Sequence, residues 1–536
     1  MFSAPVFRMI LEIRVPFAGQ EFVIPTWLIV AAVVLFVVIA LLHGILGGRG
    51  PSPEDELDRE RASSRRWADV RDVRELLLKT PDPRRLRLGQ LNGAQVGTPP
   101  LRSKLVLAPT GSGKTPRVMV PDVLLHQGPA VVASVKADIL YLTHKARMAK
   151  GPVWVFDPTG ASGFDTCRWS PLSGIHSYGD AMRAARWLCE SSKVEKAGLE
   201  GQQYWDTQGR QMLAPMLFAA ARLEKSMADV GAWVQTGAED KLRRMLTELG
   251  DQTAINAWGA HCNSHERTKT SIAGTAWMVM ESWSHPSIAN AVNDAGSGRH
   301  EVFSIGEFLS SGGTLYMVAP ASEQDLFTPV FETLTNAVIQ AVEVAAHKNL
   351  GLPLDPPLLL VLDEAANIAP LRRLDQVASK SAGEGVVLVS AWQDEGQIAS
   401  IYGADRGRTV FNQHTCHVYL PGIGDIQTLQ TLSTKIGLTT VQRESTTRDK
   451  DGRTSRSRSA SEIELAPAAW LRQLPQDQCI AIVKEYKPIR LRIPGWFEDP
   501  ALRKLVDPEV ARRFDEQFAR PKRSPKTSRR RPEVAA

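Results

Sequence analysis

Apolar residues are distributed unevenly along the 536-residue chain, in three patterns. The first is a continuous run near the start. No charged residue lies between Glu21 and Arg49, and 26–42 reads TWLIVAAVVLFVVIALL. A helix crosses a hydrocarbon core of about 30 Å with about 20 apolar residues. A membrane-spanning helix is therefore predicted at about 24–46, with Trp27 as an interfacial aromatic. The second pattern is a series of short runs bounded by Gly and Pro: 104–108, 130–135, 153–157, 314–319, 358–363, 386–391 and 417–420. They are continuously apolar where a half-solvated strand would alternate. With helical stretches between them, they predict an α/β fold whose parallel sheet is covered on both faces. The third pattern is helical: 175–300 has few strand signals and helical stretches such as 181–190 and 208–224, and predicts an all-α insert.

The remaining segments lack apolar content. Residues 51–100 are charged and punctuated by proline, and read as a juxtamembrane connector. The stretch 440–462 (TVQRESTTRDKDGRTSRSRSASE) holds six Lys/Arg and almost no apolar residue, which predicts a flexible loop. Residues 501–536 read as a basic tail, disordered from 519. The predicted organisation is thus an anchor at 1–50, the connector, a nucleotide-binding domain made of 101–174 and 301–500, the helical insert at 175–300, and the tail.

Charge and cysteine content narrow the picture. The net charge of +6 comes from 64 basic and 58 acidic residues. Residues 511–536, with nine Lys/Arg against three Asp/Glu, carry that same excess. The basicity belongs to the tail, which would bind DNA phosphates or anionic lipid, and the fold need not be a basic clamp. Arg49, Arg59, Arg61, Arg65, Arg66, Arg71 and Arg74 follow the apolar run, whereas Arg8 and Arg14 precede it. The positive-inside rule places the large C-terminal portion in the cytoplasm. Glu12 and Glu21 and the lack of a small-residue cleavage site argue against a removable signal. Five scattered cysteines without a CxxC pair exclude a zinc ribbon and a disulfide scaffold. His261, Cys262 and His265, and likewise His414, Cys416 and His417, lack a fourth ligand and read as structural.

The chemistry begins at 108–115, APTGSGKT, directly after a strand. Small residues let backbone N–H groups wrap phosphates, a lysine reaches the β/γ oxygens, and a hydroxyl holds Mg²⁺. Pro109, Thr110, Gly111, Ser112, Gly113, Lys114 and Thr115 form this nucleotide-binding loop, with Lys114 as the cation and Thr115 as a Mg²⁺ ligand. The second half of the site is LLLVLDE at 358–364, whose carboxylates leave the C-terminal end of a buried strand, where open α/β sheets bind ligands. Asp363 suits the Mg²⁺ shell and Glu364 suits polarising an attacking water. The separation of 248 residues between Thr115 and Asp363 leaves room for the helical insert. Gln393, just past the strand at 386–391, is placed to sense the γ-phosphate.

Together these segments resemble the type IV secretion coupling proteins, the TraG/TraD-like conjugation ATPases. The resemblance is carried by APTGSGKT, SVKADIL (134–140), LVLDEAANI (360–368), WQDEGQIASIYG (392–403) and HVYLPGIGD (417–425), and covers about residues 100–495. It implies a RecA-like motor domain with an inserted all-α domain, in a homohexameric ring at the bacterial inner membrane. It also implies that ATP and Mg²⁺ drive a single-stranded DNA–relaxase complex into a type IV secretion channel. The family often has two membrane spans; here one is visible, which leaves 1–21 as the outer contact. Many members carry an arginine ahead of the strand leading to the Gln, and here that region reads SKSAGEG (379–385). Lys380, Arg406 or Arg408 would take the trans-acting role. Two other readings stay open: a coupling ATPase that exports effector proteins without DNA, and a nucleotide-gated substrate receptor. The helical insert and WQDEGQIASIYG argue against a double-strand chromosome translocase.

Overall fold

The computed structural model describes residues 12–17, 20–25, 31, 66–192, 199–292, 301–368, 371–448 and 454–518. The chain divides into two units, 1–65 and 66–536. In the first, β1 (Glu12–Phe17) and β2 (Gln20–Pro25) form an antiparallel hairpin, Glu12 opposite Pro25. The predicted membrane span overlaps β2 at Ile24 and Pro25; apart from these and Ala31, it lies outside the described residues. Among the described residues no helix is long and apolar enough to cross a membrane.

The second unit is built on one eleven-stranded mixed sheet. In chain order its strands are β3 (Arg87–Leu91), β4 (Ala94–Gly97), β5 (Lys104–Leu107), β6 (Ala130–Ser134), β7 (Val153–Phe156), β8 (Thr314–Val318), β9 (Leu358–Asp363), β10 (Val386–Trp392) and β11 (Cys416–Tyr419). A separate ribbon, β12 (Leu438–Arg448) and β13 (Thr454–Glu464), precedes β14 (Gln478–Val483) and β15 (Ile489–Arg492). The spatial order is β4-β3-β15-β14-β11-β5-β10-β9-β6-β8-β7. From β11 to β7 every pairing is parallel, and from β11 to β4 every pairing is antiparallel.

The seven apolar runs are the seven parallel strands, and each has two buried faces. On β9, Leu358, Leu360 and Leu362 point into a core shared with the inserted helices, while Leu359 and Val361 point into the core on the opposite side. Between β7 and β8 the described chain is helical, from Tyr178–Ser191 to Pro286–Val292. Leu199–Arg222 runs through its centre and buries Met212, Leu213, Met216 and Leu217. Serine caps with an aspartate three residues on start two of these helices, Ser177–Asp180 and Ser226–Asp229, satisfying the free N–H groups of the first turn.

Three segments differ from expectation. The stretch read as a connector is folded from residue 66, and its strands β3 and β4 extend the sheet. Leu86, Leu88 and Val96 are buried there, and a single backbone pairing, Arg492 with Gln90, joins this edge to β15. The stretch read as a flexible loop is instead the β12–β13 ribbon, paired from Leu438–Glu464 out to Arg448–Thr454. Cross-strand backbone pairing runs the length of this polar segment. The tail is folded up to residue 518. Helices Pro500–Arg503 and Pro508–Phe518 bury Leu502 and Ala511, and the link between them buries Val506, in one core with residues of the sheet, and 519–536 lie outside the described residues.

Candidate functional site

Strand β5 ends at Leu107, and the chain turns through Gly111 and Gly113, whose φ angles of 82° and 85° lie in the left-handed region. A side chain would be strained at both, and a Cβ on Gly113 would sit 3.2 Å from Arg117 Cδ. Lys114 and Thr115 then open a helical turn with Pro116 in its first positions, where proline's missing N–H leaves no donor unpaired.

Parallel pairing brings distant residues to this loop. β10 lies between β5 and β9, and β6 lies on the far side of β9, so the carboxyl ends of these strands form one edge. There Lys114 Nζ is 3.0 Å from Glu364 Oε1 and 4.0 Å from Asp363 Oδ1. The hydroxyls of Thr115 and Ser134 donate to Asp363 Oδ2 at 3.3 and 3.2 Å. Burial pushes the Asp363 carboxyl up to about 6, against the pull of Lys114. Burial also raises Asp138, the third carboxylate in the field of Lys114. Glu364 has a φ of 68°, an unusual conformation for a residue with a Cβ, and it turns the chain directly after the strand. Asn367 Nδ2 donates to Glu364 Oε2 at 3.4 Å.

This donor set fits a hard divalent cation. A carboxylate and two hydroxyls converge as oxygen ligands, the type magnesium prefers. Asp363 Oδ1 and Ser112 Oγ are buried with no hydrogen-bond partner among the described residues, and buried polar atoms of this kind call for a partner.

The other expected residues are placed differently. Gln393 is exposed one residue beyond β10, where Trp392 pairs with Leu107, so it stands beside the start of the loop. Its backbone N–H donates to Gln397 Oε1 at 2.9 Å. Arg406 bonds to the carbonyl of Arg372 and to Asp375 Oδ1. Arg408 pairs with its helical neighbour Asp405 at 3.6 Å, and Lys380 lies 4.0 and 3.9 Å from Glu343 and Glu384. The histidines are held by hydrogen bonds: His414 Nε2 to Ser390 Oγ at 3.0 Å, and His417 Nε2 to the Phe411 carbonyl at 3.0 Å.

Sequence reasoning passed over several residues at this site. Ser134 and Asp138 lie in the SVKADIL segment, where the polar residues at a strand end were a visible signal. Arg117 donates two bonds to Glu498, at 2.8 and 3.1 Å, and one to the Ile493 carbonyl at 2.9 Å. These tie the loop's helix to the C-terminal segment. The aromatic pair Trp496–Phe497, set between Pro and Gly on one side and acids on the other, was the available signal.

A family model described as type IV secretory system conjugative DNA transfer matches residues 65–528. The conjugal transfer protein TraG of Agrobacterium fabrum strain C58 is 24% identical over 424 residues, covering 75% of this chain and 61% of that protein. Protein VirD4 of the same organism is 23% identical over 420 residues, covering 76% and 60%. The chain thus spans about three-fifths of the length of these curated relatives. The bacterial conjugative coupling protein TrwBdeltaN70, in its unbound form, superposes with a TM-score of 0.60 at 19% identity, covering 80% of this chain and 92% of that one. The shared fold is α/β with a large mixed sheet. With a model of the family matched across 65–528 and its motifs gathered at one sheet edge, the chain belongs to the type IV secretory system conjugative DNA transfer family.

Proposed function

We propose that this protein is a membrane-anchored coupling ATPase that uses a RecA-like motor domain to hand a single-stranded DNA–relaxase complex to a type IV secretion channel. The observation that carries the reading is the meeting of Lys114, Thr115, Asp363 and Glu364 at one sheet edge, where Lys114 lies 3.0 Å from Glu364 and 4.0 Å from Asp363, and Thr115 lies 3.3 Å from Asp363. TrwB has been solved with ADP and Mg²⁺ and with non-hydrolysable GTP and ATP analogues, which supports a nucleotide and magnesium as ligands here.

The chain's residues divide the chemistry. Backbone N–H groups from Gly111 to Lys114 and the Lys114 ammonium take the phosphates. Thr115 and Asp363 would hold magnesium, which when bound neutralises phosphate charge. Without nucleotide, Lys114 is ion-paired with Glu364. A γ-phosphate competing for that ammonium frees the Glu364 carboxylate to accept a proton from water and orient it. Gln393 reports loss of the phosphate along β10, and Lys380, Arg406 or Arg408 acts on the neighbouring subunit of a hexameric ring at the inner membrane. The trans-acting role asks Arg406 to exchange its bond to Asp375, and Arg408, which is highly exposed, to exchange its pairing with Asp405.

ATP hydrolysis by the full chain in lipid nanodiscs, with no DNA, single-stranded DNA or duplex DNA and with Lys114→Ala alongside, tests the reading. Lys114-dependent turnover stimulated by single strands is expected. Lys114-dependent turnover indifferent to DNA moves the cargo to effector proteins. No turnover from an assembled ring leaves a nucleotide-gated receptor.

A further inference from the structure

A cavity of about 810 Å³ opens along the outer side of the phosphate loop, within the range of about 300–1,000 Å³ typical of small-molecule sites. Gly111, Ser112 and Gly113 form one wall, and Arg117, Phe497 and Phe514 form the other. The second wall comes from the end of the chain. Phe497 follows β15, and Phe514 lies on the helix Pro508–Phe518, which the sequence presented as part of a basic tail.

This wall is fastened to the loop. The Trp496 backbone N–H donates to the Pro116 carbonyl at 3.0 Å. With the Arg117 bonds to Ile493 and Glu498, that makes four hydrogen bonds between the C-terminal segment and the turn that begins at Thr115. Behind the wall, the Trp496 ring is fully buried, 4.9 Å from Phe514 and 5.9 Å from Phe497. The two phenylalanine rings lie 5.6 Å apart and 30° from parallel, both half-buried, and so present a continuous apolar surface. The Arg117 guanidinium carbon lies 5.4 Å from the Phe497 centroid and extends that surface back toward Gly113.

We propose that Phe497, Phe514 and Arg117 form the subsite for the base and ribose of the nucleotide whose phosphates the loop takes. The inference rests on the nucleotide-site reading above and adds the residues that give the nucleoside its affinity. A ligand anchored at Gly111–Gly113 extends into this cavity, and a flat ring wall with an adjacent guanidinium offers a π surface to a nucleobase. The phenylalanine rings contribute by stacking, while Gln476, Asp477, Glu498 and Asp515 also line the cavity and supply polar atoms beside them. The C-terminal helix is therefore part of the binding site, fixed to the same turn that presents Thr115.

The test compares Mg-ADP with Mg-pyrophosphate, the same diphosphate without base or ribose, by calorimetry on the full chain in nanodiscs. The wild-type protein is expected to bind ADP at least about five-fold more tightly; equal affinities would overturn the proposal. Phe514→Ala is expected to weaken ADP by about five- to 150-fold, the usual range for a base–aromatic stack, and to leave pyrophosphate unchanged. An equal loss for both ligands, or no loss for either, refutes it. Because Phe514 packs on Trp496, Phe514→Leu and Phe497→Leu are run beside it. They keep apolar volume, remove the π face, and are expected to show the same selective loss in proteins whose melting is unchanged. Lys114→Ala separates the two levels. Loss of both ligands upholds the phosphate loop whatever the wall does. Retention of both sinks the nucleotide reading, while the ADP-selective effect of Phe514 still decides the subsite.

Discussion

Glu332 is the clearest case of a charge placed where folding resists it. It lies on the helix Gln324–Lys348, 2% exposed, with Oε1 accepting the Arg372 N–H at 2.8 Å. The Arg372 guanidinium instead donates to the Ser192 carbonyl at 3.1 Å, and nearby Glu190 adds a like charge. Burial, the largest cause, and Glu190 push the Glu332 carboxyl from 4.5 up to about 8, against the weaker pull of Arg372. At pH 7 the folded protein holds this proton and the unfolded chain has released it. Stability from the group is complete below pH 4.5 and is lost as pH rises toward 8. From 4.5 to 7 is 2.5 pH units, which at about 1.4 kcal/mol per unit amounts to about 3 kcal/mol. Glu332→Gln keeps an oxygen for Arg372 and removes the ionisation. A unit of this size unfolds with an entropy of about 1 kcal/mol per degree, from about 2 cal/mol/K per residue. The variant is therefore expected to melt about 3 °C higher at pH 7 by circular dichroism, with the gain vanishing by pH 4.5. A lower melting temperature at pH 7, or a gain that persists at pH 4.5, would refute the argument.

Other outcomes follow from the same structure. Glu364→Gln keeps a hydrogen-bond partner for Lys114 and removes the base, so it is expected to retain ADP binding and lose about 10²- to 10⁴-fold in turnover, read by a phosphate-release assay. Arg147 is fully buried and donates to Thr314 Oγ1 and to the carbonyls of His126, Gly128 and Gly312, holding the turns before β6 and β8 together. Arg147→Met leaves buried oxygens unpaired and is expected to lower stability by about 2–4 kcal/mol, measured by urea midpoint. Burial depresses His126 to about 3, His414 to about 4 and His417 to about 3. Their contribution is present above the ordinary 6.5 and is lost as pH falls below it. In the Glu332→Gln background the urea midpoint should drop between pH 7 and pH 5, by about 2 kcal/mol for each histidine, and an unchanged midpoint would count against their burial as neutral rings.

The sequence by itself determined the parts whose signal is local. A strand buried on both faces must be apolar at every position, so LLLVLD and VVLVSAW were legible as elements without knowing their neighbours. The phosphate loop was legible because a tight turn around phosphates demands Gly111, Gly113 and Lys114 in sequence, and Asp363 and Glu364 because two acids end an otherwise apolar run. Tertiary structure decided what depends on partners far along the chain. RLGQL at 87–91 carries too few apolar residues to be read as a strand; it pairs locally with β4 across the Asn92–Gly93 turn, and only the pairing of Gln90 with Arg492, about 400 residues later, joins that hairpin to the large sheet. The β12–β13 ribbon has the composition of a loop and is ordered by cross-strand backbone pairing, which composition does not encode. Residues 501–518 read as part of a basic tail because the few apolar side chains that anchor them, Leu502, Val506, Ala511 and Phe514, mean nothing until Trp496 and the phosphate-loop helix offer a surface. Burial is a property of pairs of segments, and one segment's residues specify only half of each pair.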